Sequence, residues 1–233
     1  MTEPNKDQIS HGMAAQLALR TGRLQTGDTS LGWKVGFGAP AAMQRLGIQS
    51  PLVGFLCAAA RVPDNSTVSL HTFTQAVVEP EIAVHMKTDL GPNADELMTR
   101  AAIAGLGPAI ELADLSFPPD SVEKILASNI YQRGVILGPV DTGRAGADLR
   151  GLSGQLFKDG VEIARTSNVE ANTGTIVNII AGVAECLAGF GLVLRAGEVV
   201  IVGSMVPPVI VDRPCSISFV LTPYDAIAVR FAA

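Results

Sequence analysis

The sequence predicts a strand-rich α+β fold with few helices, and three observations carry that expectation. Short segments with period-two alternation recur along the chain, helical periodicity is confined to a few segments of which Thr175–Phe190 is the longest, and the 24 Gly and 14 Pro are scattered between segments as turn signals. Without an internal repeat, low-complexity tract or charge block, the 233 residues are expected to form an N-terminal helical segment over 1–30 and one domain over 31–233.

Composition narrows the function classes. Apolar residues make up 48% and charged residues 17%, so the chain is able to fold around a sizeable core. Seventeen Lys and Arg against 22 Asp and Glu give a net charge of −5, which offers no footprint for a nucleic-acid backbone. The longest stretch without charge, Leu46 to Ala60, is fifteen residues and broken by Gly and Pro. That is short of the roughly 17–25 that span a bilayer, so no membrane segment is expected. The start, Met1-Thr2-Glu3-Pro4-Asn5-Lys6-Asp7, lacks the basic and apolar runs of a signal peptide, and a cytoplasmic location is expected. Cys57, Cys186 and Cys215 are widely spaced among apolar neighbours and fit reduced core thiols.

The elements follow in order. Ile9, Met13 and Leu17 share a face of a first helix over Asp7–Arg20, with Gly22 as its stop. From Leu31 the alternation of Trp33, Val35 and Phe37 with Lys34 and Gly36 predicts a strand, and Pro40–Leu46 a short helix closed by Gly47. Val77–Met86 is a strand with Val78, Ile82, Val84 and Met86 on one face and Val77, Glu79, Glu81, Ala83 and His85 on the other. A helix over Ala94–Leu106, capped by Asn93, leads to a short strand Pro108–Ala113. Helix Asp120–Ala127, strand Gly134–Leu137, a hairpin over Gln155–Ala164 turning at Asp159-Gly160, and helix Thr175–Phe190 come next. Strands Val199–Val202, Val209–Val211, Ile217–Leu221 and Ala226–Phe231 close the chain.

The most informative chemistry is Glu79-Pro80-Glu81, since two carboxylates two apart on a strand point the same way, with Cα atoms roughly 6–7 Å apart. Glu111 adds a third from an apolar strand, where an unpaired charge is costly. An all-oxygen set suits Mg²⁺ or Mn²⁺ better than zinc, and three His in the chain leave little for an imidazole site. The pattern alone also fits the wet face of a half-buried strand. Lys34, bracketed by Gly32 and Gly36, is either a solvated edge lysine or a cation aimed at an anionic substrate or a proton-transfer group. Ser204 follows Gly203 at a strand end, where an amide and hydroxyl are placed to hold a carboxylate or merely to make a turn. No phosphate-binding glycine loop and no Gly-x-Ser-x-Gly elbow is present.

Five segments in order resemble the 2-keto-4-pentenoate hydratase and 4-oxalocrotonate decarboxylase branch of the fumarylacetoacetate hydrolase superfamily. They are Gly32-Trp33-Lys34-Val35-Gly36, Val53-Gly54-Phe55-Leu56, Val78-Glu79-Pro80-Glu81-Ile82-Ala83, Pro108-Ala109-Ile110-Glu111-Leu112-Ala113-Asp114, and Leu194-Arg195-Ala196-Gly197-Glu198-Val199 leading to Gly203-Ser204. The resemblance implies mixed β-sheets around a barrel-like core, a catalytic role for the 31–233 domain, Mg²⁺ or Mn²⁺ held by Glu79, Glu81 and Glu111, and Lys34 in the active site. It implies substrate-binding roles for Ser204 and, where the family has an Asp-Asn pair, for Asn129. The expected activity is a metal-dependent lyase hydrating a short 2-hydroxy-2,4-dienoate in aromatic catabolism. The alternatives are decarboxylation of a 2-oxo-hexenedioate, or a non-catalytic accessory protein that binds a keto acid. A small 2-oxo or 2-hydroxy-dienoic acid and a homo-oligomer are the implied partners. At Thr175, Ile176 and Gly182 the chain departs from the family pattern, which predicts a different pocket wall or lid, and around Leu52 it lacks the acidic residue often found in the family, which predicts a mechanism without a second carboxylate there.

Overall fold

Lys34 and the three glutamates stand on three strands of one sheet, and the strand order explains how they meet. The computed structural model describes residues 6–233; the N-terminal reading of residues 1–5 lies outside them. The chain runs α1 (Lys6–Gln25), β1 (Ser30–Gly36), α2 (Pro40–Leu46), β2 (Leu52–Cys57), β3 (Ser66–Ser69), β4 (Ala76–Met86), α3 (Glu96–Ala102), β5 (Ile103–Asp114), α4 (Val122–Ala127), β6 (Gln132–Leu137), β7 (Ser153–Lys158), β8 (Val161–Thr166), α5 (Ile176–Ala188), β9 (Val199–Ile201), β10 (Val209–Val211), β11 (Cys215–Thr222) and β12 (Ile227–Ala232). A seven-stranded sheet has the order β2-β1-β9-β4-β5-β6, with β10 paired to the start of β4; a second has β3-β12-β11-β7-β8. Both are mixed, because β9 joins β1 in parallel and β3 joins β12 in parallel.

The first sheet curls. The segment leaving β2 reaches across to β6, where Arg61 bridges Val135 and the Val62 amide donates to the Val135 carbonyl at 2.9 Å. The concave face is lined by a small cluster that includes Leu56, Ala83, Ala109, Val135, Val199 and Ile201. Short side chains such as Ala83 and Ala109 leave room for opposite walls to approach. The convex face carries the bulk of the core, with Val78, Ile82, Val84 and Met86 of β4 packed among residues of the second sheet and α5. Each such fully buried aliphatic side chain contributes about 1.5–3 kcal/mol, which fixes which face of β4 points outward and so sends Glu79 and Glu81 to the concave side. Helices α1, α2 and α4 close one rim around Met13, Leu46 and Ile125. Gln16, fully buried, pins α1 there by donating to the carbonyls of Val53 at 3.2 Å and Leu126 at 3.0 Å.

Helix α2 lies where expected, ending on Gly47 at φ 65°, and the Asp159-Gly160 turn has both residues at positive φ as a type I′ turn requires. Several boundaries differ. Helix α1 runs through Gly22 to Gln25, since a Cβ at Gly22 would meet nothing and a lone exposed glycine costs only about 1 kcal/mol. The helix expected to Leu106 stops at Ala102 and is capped by Asp95, whose side chain accepts from the Met98 amide. Residues from Ile103 onward belong instead to β5, where pairing to β4 overrides their helical pattern. Strand β2 showed no alternation because all six of its residues are buried on both faces. Among the described residues no helix is long and apolar enough to cross a membrane. All three cysteines are free, Cys57 and Cys215 buried and Cys186 half-buried.

The β1–β9 contact is the tightest backbone approach near the site. A Cβ on Gly32, at φ 146°, would lie 1.9 Å from the Val199 carbonyl oxygen. Gly32→Ala is therefore expected to cost about 3 kcal/mol or more. Gly91→Ala, which meets nothing within 4 Å, is expected to stay within about 0.5 kcal/mol. Denaturant midpoints measure both, and equal effects would refute the close approach.

Candidate metal site and cavity

Register places the carboxylates. Glu79 of β4 pairs directly with Glu111 of β5, and Glu81 lies two residues further along the same face of β4. Like charges opposed across strands are unfavourable without a cation. Each of the three offers a carboxylate oxygen, and these oxygens all lie within 4.8 Å of one another. Glu81 and Glu111 are wholly buried, and Glu79 is partly open to a cavity.

Lys34 sits three strand positions from Glu111 in the sheet order, too far on a flat sheet, where strands are about 4.8 Å apart. The curl brings its ammonium across the concave face. Nζ, on a side chain only 3% exposed, makes an ion pair and hydrogen bond with Glu111 Oε1 and donates to the Ile130 carbonyl at 3.2 Å. Two of three N–H donors are thereby engaged, and the residue lines the cavity with the third in reserve.

The electrostatics are unbalanced. Three carboxylates and one ammonium sum to −2 in a buried site. Burial pushes the Glu111 carboxyl up to about 7, with Lys34 opposing the shift. Burial, then the charges of Glu111 and Glu79, hold Glu81 well above the usual carboxylate range, and burial also raises Glu79. For Lys34, burial favours the neutral amine, but Glu111, Glu79 and Glu81 together outweigh it and raise its pKa. The Gly203 amide donates to Glu81 Oε2 at 2.6 Å. Glu81 Oε1 and Glu111 Oε2 remain buried without a partner. Two buried carboxyl oxygens without a partner, a formal deficit of two positive charges once all three carboxyls ionise, and an all-oxygen donor set fit a hard divalent cation.

The cavity, about 410 Å³, opens from Lys34 and Glu79 between α2, the loop before α5 and β10. Ser204 lines it, its hydroxyl donating to the Val206 carbonyl at 2.6 Å and so presenting only acceptor lone pairs. Asn129 is buried behind the cavity wall, with both ends of its amide engaged by the Phe55 backbone. The structure thus brings Lys34, Glu79, Glu81, Glu111 and Ser204 to one place and sets Asn129 behind them.

Other cavity residues escaped the sequence reading. Asn172 donates to the Ser204 carbonyl at 2.7 Å, and Arg45 on α2 is a second cation at the wall. Neither belongs to a spaced motif; their only signal is a polar residue before a helix and a cation one turn after Pro40. His85, four positions beyond Glu81, lies about 13 Å along the strand, where burial and Arg61 lower its pKa. Gly182, one of the departures, leaves a second cavity of about 410 Å³ behind β1, bordered by Thr175 and sharing Thr173 with the first.

No family model matches the chain. It is 29% identical over 210 residues, 87% of its length and 79% of the relative's, to a 2-hydroxyhexa-2,4-dienoate hydratase of Comamonas testosteroni. It is 27% identical to a 4-oxalocrotonate decarboxylase of Pseudomonas putida over 93% of this chain and 79% of that one. Its fold is similar to that of the 4-oxalocrotonate decarboxylase from Pseudomonas putida G7 complexed with magnesium and adipate, with a TM-score of 0.88 over 96% of this chain and 86% of that one at 24% identity. These are the hydratases and decarboxylases that the five segments resemble.

Without a cation the folded protein keeps protons that the unfolded chain releases near pH 4.5, so the site's contribution to stability falls as pH rises from about 4.5 to about 7. Thermal unfolding in chelator is expected to show this fall in wild type and a shallower one in Glu111→Gln, which cannot ionise. Identical slopes would refute the buried charge excess.

Proposed function

We propose that this chain, a relative in sequence and fold of the 2-keto-4-pentenoate hydratases and 4-oxalocrotonate decarboxylases, is a divalent-metal-dependent lyase that hydrates a short 2-hydroxy-2,4-dienoate in aromatic catabolism. The observation that carries the reading is the buried cluster of Glu79, Glu81 and Glu111 with Lys34 as its one cation, beside a cavity sized for a small acid. Glu79, Glu81 and Glu111 would hold Mg²⁺ or Mn²⁺. Such an ion, when bound, supplies Lewis acidity to the carboxylate and 2-oxo oxygens of a chelating keto acid.

The chain's own groups supply the rest. Lys34 lines the cavity and holds a proton at Nζ, which suits delivery to the far carbon of the dienol as the 2-hydroxyl proton leaves to solvent and the ketone forms; when water adds, its proton returns to Nζ and the enolate carbon takes one from solvent. Glu111 and the Ile130 carbonyl fix the position of Nζ. The Ser204 hydroxyl, already donating to Val206, accepts from a substrate hydroxyl or the incoming water. Phe37 and Tyr131 border the cavity and exclude bulk water from one side.

Arg45 favours a second reading, decarboxylation of a 2-oxo-hexenedioate. Among the described residues it has no ion-pair partner, and it lines the cavity whose other cation is Lys34, so a distal carboxylate has a counter-charge there. Cytoplasmic location and assembly into a homo-oligomer belong to the same proposal.

Oxalate with Mg²⁺ is expected to raise the thermal midpoint of wild type by mass action, and neither ligand nor metal to move that of Glu81→Ala; no shift in wild type would leave an accessory protein without the metal. Lys34→Met is expected to keep the oxalate shift while losing about 10²–10⁴ in kcat. Loss of dienoate absorbance without CO₂ identifies the hydratase. CO₂ release from the dicarboxylic substrate, abolished in Arg45→Gln, identifies the decarboxylase. Light scattering at the monomer mass would refute the oligomer.

A further inference from the structure

We infer that the turn Asn129-Ile130-Tyr131 is the element that positions Lys34, with Asn129 as the residue that holds the turn in place. The inference rests on the reading of Lys34 as the proton-transfer group of the cavity.

The turn is conformationally unusual. Asn129, Ile130 and Tyr131 are consecutive and all left-handed, at φ 58°, 53° and 60°. Asn tolerates this region, but a β-branched Ile and an aromatic residue do not adopt it without outside constraint. Phe37, which borders the same cavity with its ring 6.4 Å from that of Tyr131, is also left-handed at φ 57°. Backbone strain gathered around one cavity points to a constraint that serves the site.

The constraints are visible on every side. From α4, the carbonyls of Leu126 and Ile125 accept from the Asn129 and Ile130 amides at 2.9 and 2.8 Å. The Tyr131 carbonyl accepts from the Asp114 amide at the end of β5 at 2.8 Å, and the Tyr131 ring lies 4.6 Å from that of Phe117. On the site side, Asn129 Oδ1 accepts from the Phe55 amide at 2.8 Å and Nδ2 donates to the Phe55 carbonyl at 2.9 Å. One side chain thus imitates a neighbouring strand along β2, which is the edge of its sheet.

The docking is close because β1 and β2 present glycine beneath it. A Cβ on Gly36 would lie 2.8 Å from Ile130 Cγ2, and one on Gly54 would lie 3.0 Å from both Asn129 Oδ1 and Lys34 Cγ. Gly54 is the register partner of Lys34, and Phe55 the partner of Trp33. The Asn129 clamp therefore grips β2 one residue from the strand pair that carries Lys34. Its product is the Ile130 carbonyl, held 3.2 Å from Nζ. A lysine has a flexible stem, and with Glu111 as its sole partner the ammonium would settle among the carboxylates. The second acceptor draws Nζ toward the side where Ile130 and Tyr131 border the cavity.

A double-mutant cycle of Asn129→Ala with Lys34→Met tests this. Asn129→Ala is expected to lower kcat about tenfold or more, with KM and Mg²⁺–oxalate affinity within about threefold, and to have less than about a twofold effect on kcat in the Lys34→Met background. In the metal-free proteins the two single thermal shifts are expected to sum to more than the double variant's shift. Equal loss of kcat in both backgrounds, or additive thermal shifts, would overturn the inference and leave Asn129 a structural clamp. Should Asn129→Ala fail to fold, Gly36→Ala, whose Cβ would press on Ile130 Cγ2 at 2.8 Å and meets neither Asn129 nor Lys34 within 4 Å, displaces the turn with the clamp retained and enters the same cycle. If wild type binds no oxalate with metal, the functional reading falls, while the thermal cycle still decides whether Asn129 acts on Lys34.

Discussion

Everything near the site answers to one constraint, three carboxylates gathered in a buried place with a single ammonium. Opposed glutamates on paired strands repel, and burial removes the water that would screen them. Burial raises all three carboxyls, so without a cation protons retained by the site offset the excess, but the fold does not spread the groups apart. It holds them, through the Gly203 amide on Glu81, Lys34 on Glu111 and the outward packing of Val78, Ile82 and Val84, which keeps Glu79 and Glu81 facing the concave side. A buried arrangement that is unfavourable empty and relieved by a cation is what a binding site for a hard ion requires.

The curl of the first sheet turns this charge into a usable site. Lys34 and Glu111 lie on strands separated by β9 and β4, and they meet only because the sheet bends far enough for the segment after β2 to bridge β6. Close backbone approach at Gly32 and short side chains at Ala83 and Ala109 make the bend possible. The helical rim then closes the site from one side: Gln16 ties α1 to β2 and α4, and α4 delivers the left-handed turn that meets Lys34. Strain in that turn, of the order of 1–2 kcal/mol per residue, is tolerated because hydrogen bonds on three sides and the ring of Phe117 fix it.

The sequence by itself determined the parts whose signal is local. Alternation on β4 assigned Glu79 and Glu81 to one face, Pro40 and Gly47 bounded α2, Asp159-Gly160 marked its hairpin, and five ordered segments identified the relatives. Where pairing decides, local signal fell short: β2 has no alternation because both faces are buried, and Ile103–Leu106 join β5 although their spacing is helical. The same limit applied to the site. That Glu111 opposes Glu79, that Lys34 reaches Glu111 across the sheet, that Arg45 and Asn172 border the cavity and that Asn129 holds the Phe55 backbone are consequences of register and curvature. Those relations join residues up to 127 positions apart, and only the tertiary structure decided them, because hydrogen-bond pairing and close packing act on distance in space while a sequence pattern reports distance along the chain.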